Sequence, residues 1–213
     1  GVIISGGVKR LEKTSALIEQ RRCPVISIWD QDNEAGDLTL GLSHRAAGRL
    51  IAEHFIEKDY QTIGYIGSEL SLDLCAALRM QGFEDRLAEA GISVRREISE
   101  NAPRKSPSGR ELTKSLLQKH PATRAIFYLN DAMAIGGLTY LHDAGIKVPE
   151  QVAIAGFNGT SIDYTVQTRL TTIDVPRRAI GIAAANALLG IVDRTTEIVK
   201  EDLAFQFCQG NTT

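Results

Sequence analysis

Four side chains suited to gripping a small polar molecule stand at the carboxyl ends of apolar runs in this 213-residue chain: Ser5, Trp29, Asn130 and Asn158. In an open α/β sheet a ligand sits at the carboxyl ends of the strands, so these positions are where chemistry is expected. Ser and Asn donate and accept hydrogen bonds, and Trp offers a flat face for stacking. The set holds no nucleophile beside a base, so it equips a binding site rather than a covalent catalyst. Each also has a plainer reading. Trp29 is the only Trp of the chain and fits a core position equally well. Asn130 fits the N-cap of a helix starting at Asp131, and Asn158 beside Gly159 fits a turn.

Other chemistries lack their parts. There is no GxxxxGK[ST], GxGxxG or GxSxG motif, so Ser5-Gly6-Gly7 reads as a strand exit rather than a phosphate loop. An α/β oxidoreductase would need that loop. His44, His54, His120 and His142 share no metal-ligand spacing, and no CxxC occurs. His54 lies on a helix face, where packing is the expected role. No catalytic residue, metal or cofactor is therefore expected.

The elements that would position these residues alternate in type. Apolar runs at Gly1–Ser5, Pro24–Ile28, Thr62–Gly67, Arg124–Leu129, Val152–Phe157, Leu170–Val175 and Leu203–Cys208 read as strands. Helical patterns fall between them at Val8–Arg21, Asp73–Ala90, Gly109–Lys119, Asp131–Ala144 and Arg177–Asp193. The first of these places Leu11, Ser15, Leu17 and Ile18 on one side. Another helix begins at the N-cap Ser43, with Ala46, Ala47, Leu50, Ile51, His54 and Phe55 as its stripe. Gly91 and Gly145 stop two helices. Asp30–Asp37 and Pro103–Ser108 read as loops. Near-continuous Val, Ile and Ala strands between helices predict α/β architecture with parallel sheets covered on both faces.

Composition is that of an ordinary globular protein: 43% hydrophobic, 23% charged and a net charge of −2. Such a balance offers no basic footprint for nucleic acid on this part of the protein. No run reaches the roughly 18 apolar residues of a membrane span, so no membrane partner is expected. GVIISGG has no charged segment ahead of an apolar stretch, so no secretory signal is expected. Cys23, Cys75 and Cys208 are odd in number and widely spaced, which fits reduced thiols in a cytoplasmic protein.

Several segments in order resemble the effector domain of the lactose/galactose-repressor (LacI/GalR) family. They are GVIIS, PVISIWD, AAGRLIAEHFIEKDYQTIGYIG, RMQGFEDRLAEAG, AIFYLNDAMAIGGL, GIKVPEQVAIAGFNG and RLTTIDVP. Within the family, AIAGF followed by a small polar residue and Gly159, the Thr168-Arg169-Leu170 run with Pro176 and Arg177, and the Gly-Asn-Thr tail are similar to gluconate-utilisation repressors. The resemblance implies a type I periplasmic-binding-protein-like fold, with two Rossmann-like subdomains joined by three crossover strands near Leu42, Asp174 and Phe205. It divides the chain into an incomplete N-terminal subdomain, 1–42 and 175–204, and a C-terminal subdomain, 43–174 and 205–213. It also implies that a helix-turn-helix headpiece and the first part of the N-terminal subdomain precede GVIIS. The function implied is ligand sensing and dimerisation for a DNA-binding repressor. Its partners would be a small-molecule effector, operator DNA through the headpiece, and a second copy of the chain.

Carried over by position, the effector contacts implied are Ser5, Trp29, Arg79, Asn130 and Asn158. Arg79, three before Gly82, matches the family's effector-clamping arginine; without the motif it also reads as a surface helix charge. Trp29 and Asn158 stand where many members have Asp, and Asp30 follows Trp29. Two missing acids beside a retained cation leave the pocket more positive. An arginine fork suits a carboxylate. A sugar acid such as gluconate is therefore expected over a neutral sugar, unless Asp30 points inward. A periplasmic sugar-binding protein of a transporter is the alternative with the same fold.

Overall fold

The structure is a computed structural model that describes residues 1–6, 12–32, 36–68, 73–160, 168–193 and 203–213. The first strands are short β-branched runs that pair in parallel. β1 (Val2–Ser5), β2 (Val25–Asp30) and β3 (Leu38–Leu42) form a three-stranded sheet in that order. Ile26, Leu38, Leu40 and Leu42 are buried in it. Helix α1 (Glu12–Glu19) follows β1, and residues 8–11 of the predicted helix lie outside the described set. Leu17, placed by the sequence pattern on the packed side of α1, is instead exposed. Helix α6 (Arg177–Asp193), with Ile180 and Ala184 buried, packs on all three strands.

A second parallel sheet has the order β5-β4-β6-β7, from β4 (Ile63–Ser68), β5 (Val94–Ser99), β6 (Ala125–Tyr128) and β7 (Ala153–Ala155). Every residue of β4, β6 and β7 is buried, as the sequence pattern requires of strands covered on both faces. Helices α2 (His44–Glu57), α3 (Leu74–Glu89), α4 (Ser106–Lys119) and α5 (Asp131–Asp143) accompany it. Between sheet and helices, Phe55, Tyr65, Phe83 and Phe127 pack in edge-on and tilted pairs, with centroids 4.9 to 6.5 Å apart.

Two strands absent from the apolar runs are β3, which only the family resemblance expects as a crossover near Leu42, and β5. β3 is short, contains Gly41 and runs directly into a helix cap. β5 is an edge strand whose Arg95 and Arg96 are exposed, so no apolar run marks it. A third sheet joins β8 (Thr172–Asp174) antiparallel to β9 (Gln206–Cys208). Single bridges tie Thr171 to Ala155 and Asp174 to Asn158, so β8 continues past β7 on the side of the predicted site.

Local signals set the helices that carry site residues. Ser43 caps α2 by accepting from the Ala46 N–H, and Asp73 caps α3 by accepting from the Ala76 N–H. α2 and α3 approach closely because Gly48 and Gly82 face each other's backbones. A Cβ on Gly48 would lie 1.9 Å from the Arg79 carbonyl oxygen, and one on Gly82 would lie 2.1 Å from that of Arg45. That contact presses Arg79 inward.

Candidate functional site

Arg79 is the centre of the site. On an exposed helix face it would be solvated, but the α2–α3 contact leaves it 4% exposed. One terminal nitrogen, Nη1, donates to His44 Nδ1 at 3.0 Å, and Nη2 donates to the Leu129 carbonyl at 2.9 Å. The guanidinium carbon lies 3.6 Å from the centre of the Phe157 ring. Nε is buried, and among the described residues it has no hydrogen-bond partner. Among the described residues no carboxylate lies within ion-pair distance of Arg79. Burial lowers its pKa from the usual value, and Tyr65 and Asp73 oppose that shift from further off. An arginine stays charged regardless. The core therefore holds a cation whose counter-charge the described residues do not supply.

His44, the first residue of α2, connects Arg79 to the other sheet. Arginine only donates, so Nδ1 of His44 must accept and the ring proton sits on Nε2. That nitrogen lies 3.1 Å from the Trp29 carbonyl oxygen and donates to it. The ring also contacts the Trp29 and Phe157 rings, with centroids 5.8 Å away in each case. Burial first, and the Arg79 charge second, push the His44 pKa down to about 3, so the ring is neutral near pH 7.

The structure brings four of the five sequence-predicted positions to one region. Trp29, at the end of β2, is half-buried with φ +85° and meets His44. Asn158 has φ +121°, directly follows the ring under Arg79, and carries a buried Oδ1 that has no partner among the described residues. Its backbone N–H donates to the Ile173 carbonyl at 3.0 Å. Positive φ at a non-glycine residue costs on the order of 1–3 kcal/mol and collects at ligand sites. Asn130 adjoins Leu129, and its amide is engaged within the protein. Oδ1 caps α5 through the Met133 N–H at 2.9 Å, and Nδ2 donates to the Arg104 carbonyl at 3.2 Å. Ser5, at the end of β1, is exposed, and among the described residues no hydrogen bond links it to this group. Asp30 is buried, the circumstance that counts against an anionic ligand in the sequence reading, but its Oδ1 accepts from the Asp32 N–H at 3.0 Å and no ion pair joins it to Arg79 among the described residues.

Two features escaped the sequence reading. The first is His44; it stands just past β3, so recognition of that strand would have put it among the strand-end residues. The second is Arg104, which forms an ion pair with Asp73 at the start of α3. Burial pushes the Asp73 carboxyl upward, but the Ala76 N–H, Arg104 and Arg79 together hold it below the usual range. Next to Asn158, the buried carboxylate of Asp131 accepts from Thr172 Oγ1 and from the Thr160 N–H, both at 2.7 Å. Those bonds tie the start of α5 to β8.

Known proteins share this fold. Residues 52–213 match the model of the periplasmic binding protein-like domain. The chain is 34% identical over 193 residues to the HTH-type transcriptional regulator GntR of Pseudomonas aeruginosa, covering 90% of this chain and 55% of that protein. It is similar to the structure of a LacI-family transcriptional regulator from Silicibacter pomeroyi at 33% identity and a TM-score of 0.92, covering 100% of this chain and 64% of that one. It also resembles the transcription regulator GntR from Chromobacterium violaceum at 29% identity and a TM-score of 0.88, covering 100% and 78% of the two chains. The chain thus spans little more than half the length of the curated relative. The fold is periplasmic-binding-protein-like, an α/β fold with parallel sheets, as the sequence predicts.

Proposed function

The chain belongs to the periplasmic binding protein-like domain family in the form found in LacI-family transcriptional regulators, and from that premise we propose that it is the effector-sensing and dimerisation domain of a DNA-binding repressor. Its ligand is a sugar acid, with gluconate favoured, bound between two subdomains. The division is 1–42 with 175–204 against 43–174 with 205–213. Packing of α6 on β1–β3 supports the first grouping, and the four-stranded sheet with its helices supports the second.

The observation that carries the ligand class is Arg79, a buried cation held by a neutral ring and a carbonyl instead of a carboxylate. A carboxylate ligand would supply the missing charge through a planar two-point contact. Asn158 Oδ1 offers an acceptor for a sugar hydroxyl, and Trp29 offers a stacking face. Because Arg79 is only 4% exposed, a ligand reaches it by parting the groups packed on it. Binding is then a conformational event. Differential contacts with two arrangements of the subdomains change operator affinity by linkage.

The domain acts in the cytoplasm as a homodimer, and a headpiece outside this chain contacts DNA. Among the described residues no helix is long and apolar enough to cross a membrane. Leu17 on α1 and Ile182, Leu189 and Val192 on α6 are exposed apolar side chains that assembly would cover. Calorimetry of the full-length protein with gluconate and with glucose tests the ligand class. Saturable gluconate binding, tighter than glucose, is expected; a preference for glucose refutes the sugar-acid reading.

A further inference from the structure

A buried arginine is ordinarily compensated by a carboxylate, because two opposite charges offset part of each other's desolvation. Among the described residues one acid stands near Arg79, and it is already committed. Asp73 caps α3 and pairs with Arg104, whose side chain is 34% exposed and needs the partner less. The buried arginine instead receives an imidazole. The neighbours fix which way that ring faces. Arg79 can only donate to Nδ1, and the Trp29 carbonyl can only accept from Nε2.

We infer that His44 is a positioning residue that holds the Arg79 guanidinium through a neutral acceptor, so that its charge is kept for an anionic ligand, and that ties it to the backbone at Trp29. The inference rests on the sugar-acid reading for its purpose, though its geometry stands apart from that reading. An acid at position 44 would hold Arg79 as firmly but would cancel the charge the ligand needs. A residue without an acceptor would leave Arg79 free to swing away. The strained backbone at Trp29, with φ +85° near the end of β2, lets its carbonyl meet Nε2, so β2 and α3 are joined through one ring.

Two measurements on the full-length protein test this. Nitrogen-15 NMR of the imidazoles needs no ligand. His44 should show an unprotonated Nδ1 and a protonated Nε2, unchanged from neutral pH down to about pH 5. A ring in the other tautomer, or one titrating near its ordinary value, overturns the positioning role. The second measurement is gluconate binding to H44N and H44D. The Asn and Asp oxygens both occupy roughly the place of Nδ1, and only Asp carries charge. H44N, which keeps the acceptor and loses the donor to the Trp29 carbonyl, should bind gluconate a few fold more weakly than the parent, whereas H44D should bind it about tenfold or more weakly than H44N. Equal affinity in the two variants overturns the charge-keeping role. Circular dichroism establishes that both are folded. A parent that binds no gluconate refutes the sugar-acid reading and, with it, the purpose given to His44; the NMR result still decides the geometry.

Discussion

Replacing Arg79 with Met separates a residue kept for ligand from one kept for stability. Met has a similar reach and no charge, so Arg79→Met removes the cation and fills most of its volume. The losses can be counted from the contacts. His44 Nδ1 and the Leu129 carbonyl each lose a donor, at about 1–3 kcal/mol apiece. The stacking of the guanidinium on Phe157 is worth about 2 kcal/mol when desolvated. Against these stands the cost of burying an ion without a counter-charge, several kcal/mol that the variant no longer bears. The two sides nearly cancel, so ligand-free stability should change by less than about 2 kcal/mol, whereas breaking a compensated buried pair costs about 3–5 kcal/mol. With gluconate at about 100 times its Kd, the parent should gain about 2.7 kcal/mol and the variant nothing. Urea denaturation with and without gluconate measures both quantities. A ligand-free loss above about 4 kcal/mol would make Arg79 a structural pillar. A ligand-induced gain that survives the substitution would remove Arg79 from the site.

Other perturbations report on the surroundings. Trp29 is the only Trp, so its fluorescence should change saturably as gluconate is titrated; demonstrated binding with a silent Trp29 places its ring outside the cleft. Gly48→Ala puts a Cβ 1.9 Å from the Arg79 carbonyl oxygen and should cost about 1–3 kcal/mol in urea denaturation while weakening gluconate; an unchanged midpoint would mean α2 and α3 can separate freely. His44 has a folded pKa of about 3 against 6.5 for the free side chain, so the unfolded chain takes up the proton first as pH falls. Its contribution is present above 6.5 and is lost toward 3, with a slope of up to about 1.4 kcal/mol per pH unit. The parent should therefore lose stability on acidification faster than H44N; parallel curves would show that His44 titrates normally in the fold.

Sequence patterns resolved the uniformly buried strands β4, β6 and β7 and the long amphipathic helices. Helix α6 has the predicted bounds Arg177–Asp193, and Ser43 and Asn130 cap helices as their residue types suggest. The pattern failed where burial is mixed: at β5, whose edge position tolerates Arg95 and Arg96, and at β3, which is too short to show a period. The site was partly legible because strand ends can be located from apolar runs. The backbone at Trp29 and Asn158 was not, since φ at a non-glycine residue leaves no mark in residue type. His44 was hidden by its place directly after a cap, where any residue reads as the start of a helix.

The distribution of charge argues for function more strongly than any single contact. Among the described residues, two arginines and one acid, Arg79, Arg104 and Asp73, lie around the start of α3. A fold selected for stability alone would give the acid to the buried arginine and leave the exposed one to water, because exposed ion pairs are worth about 0–1 kcal/mol. The opposite holds: Asp73 pairs with the half-exposed Arg104, and Arg79 is left with a neutral ring. Reversing the arrangement would satisfy Arg79 and abolish its attraction for an anion. The unfavourable arrangement makes sense if the compensating charge arrives with the ligand, which is how a domain of this kind would convert effector concentration into a change of shape.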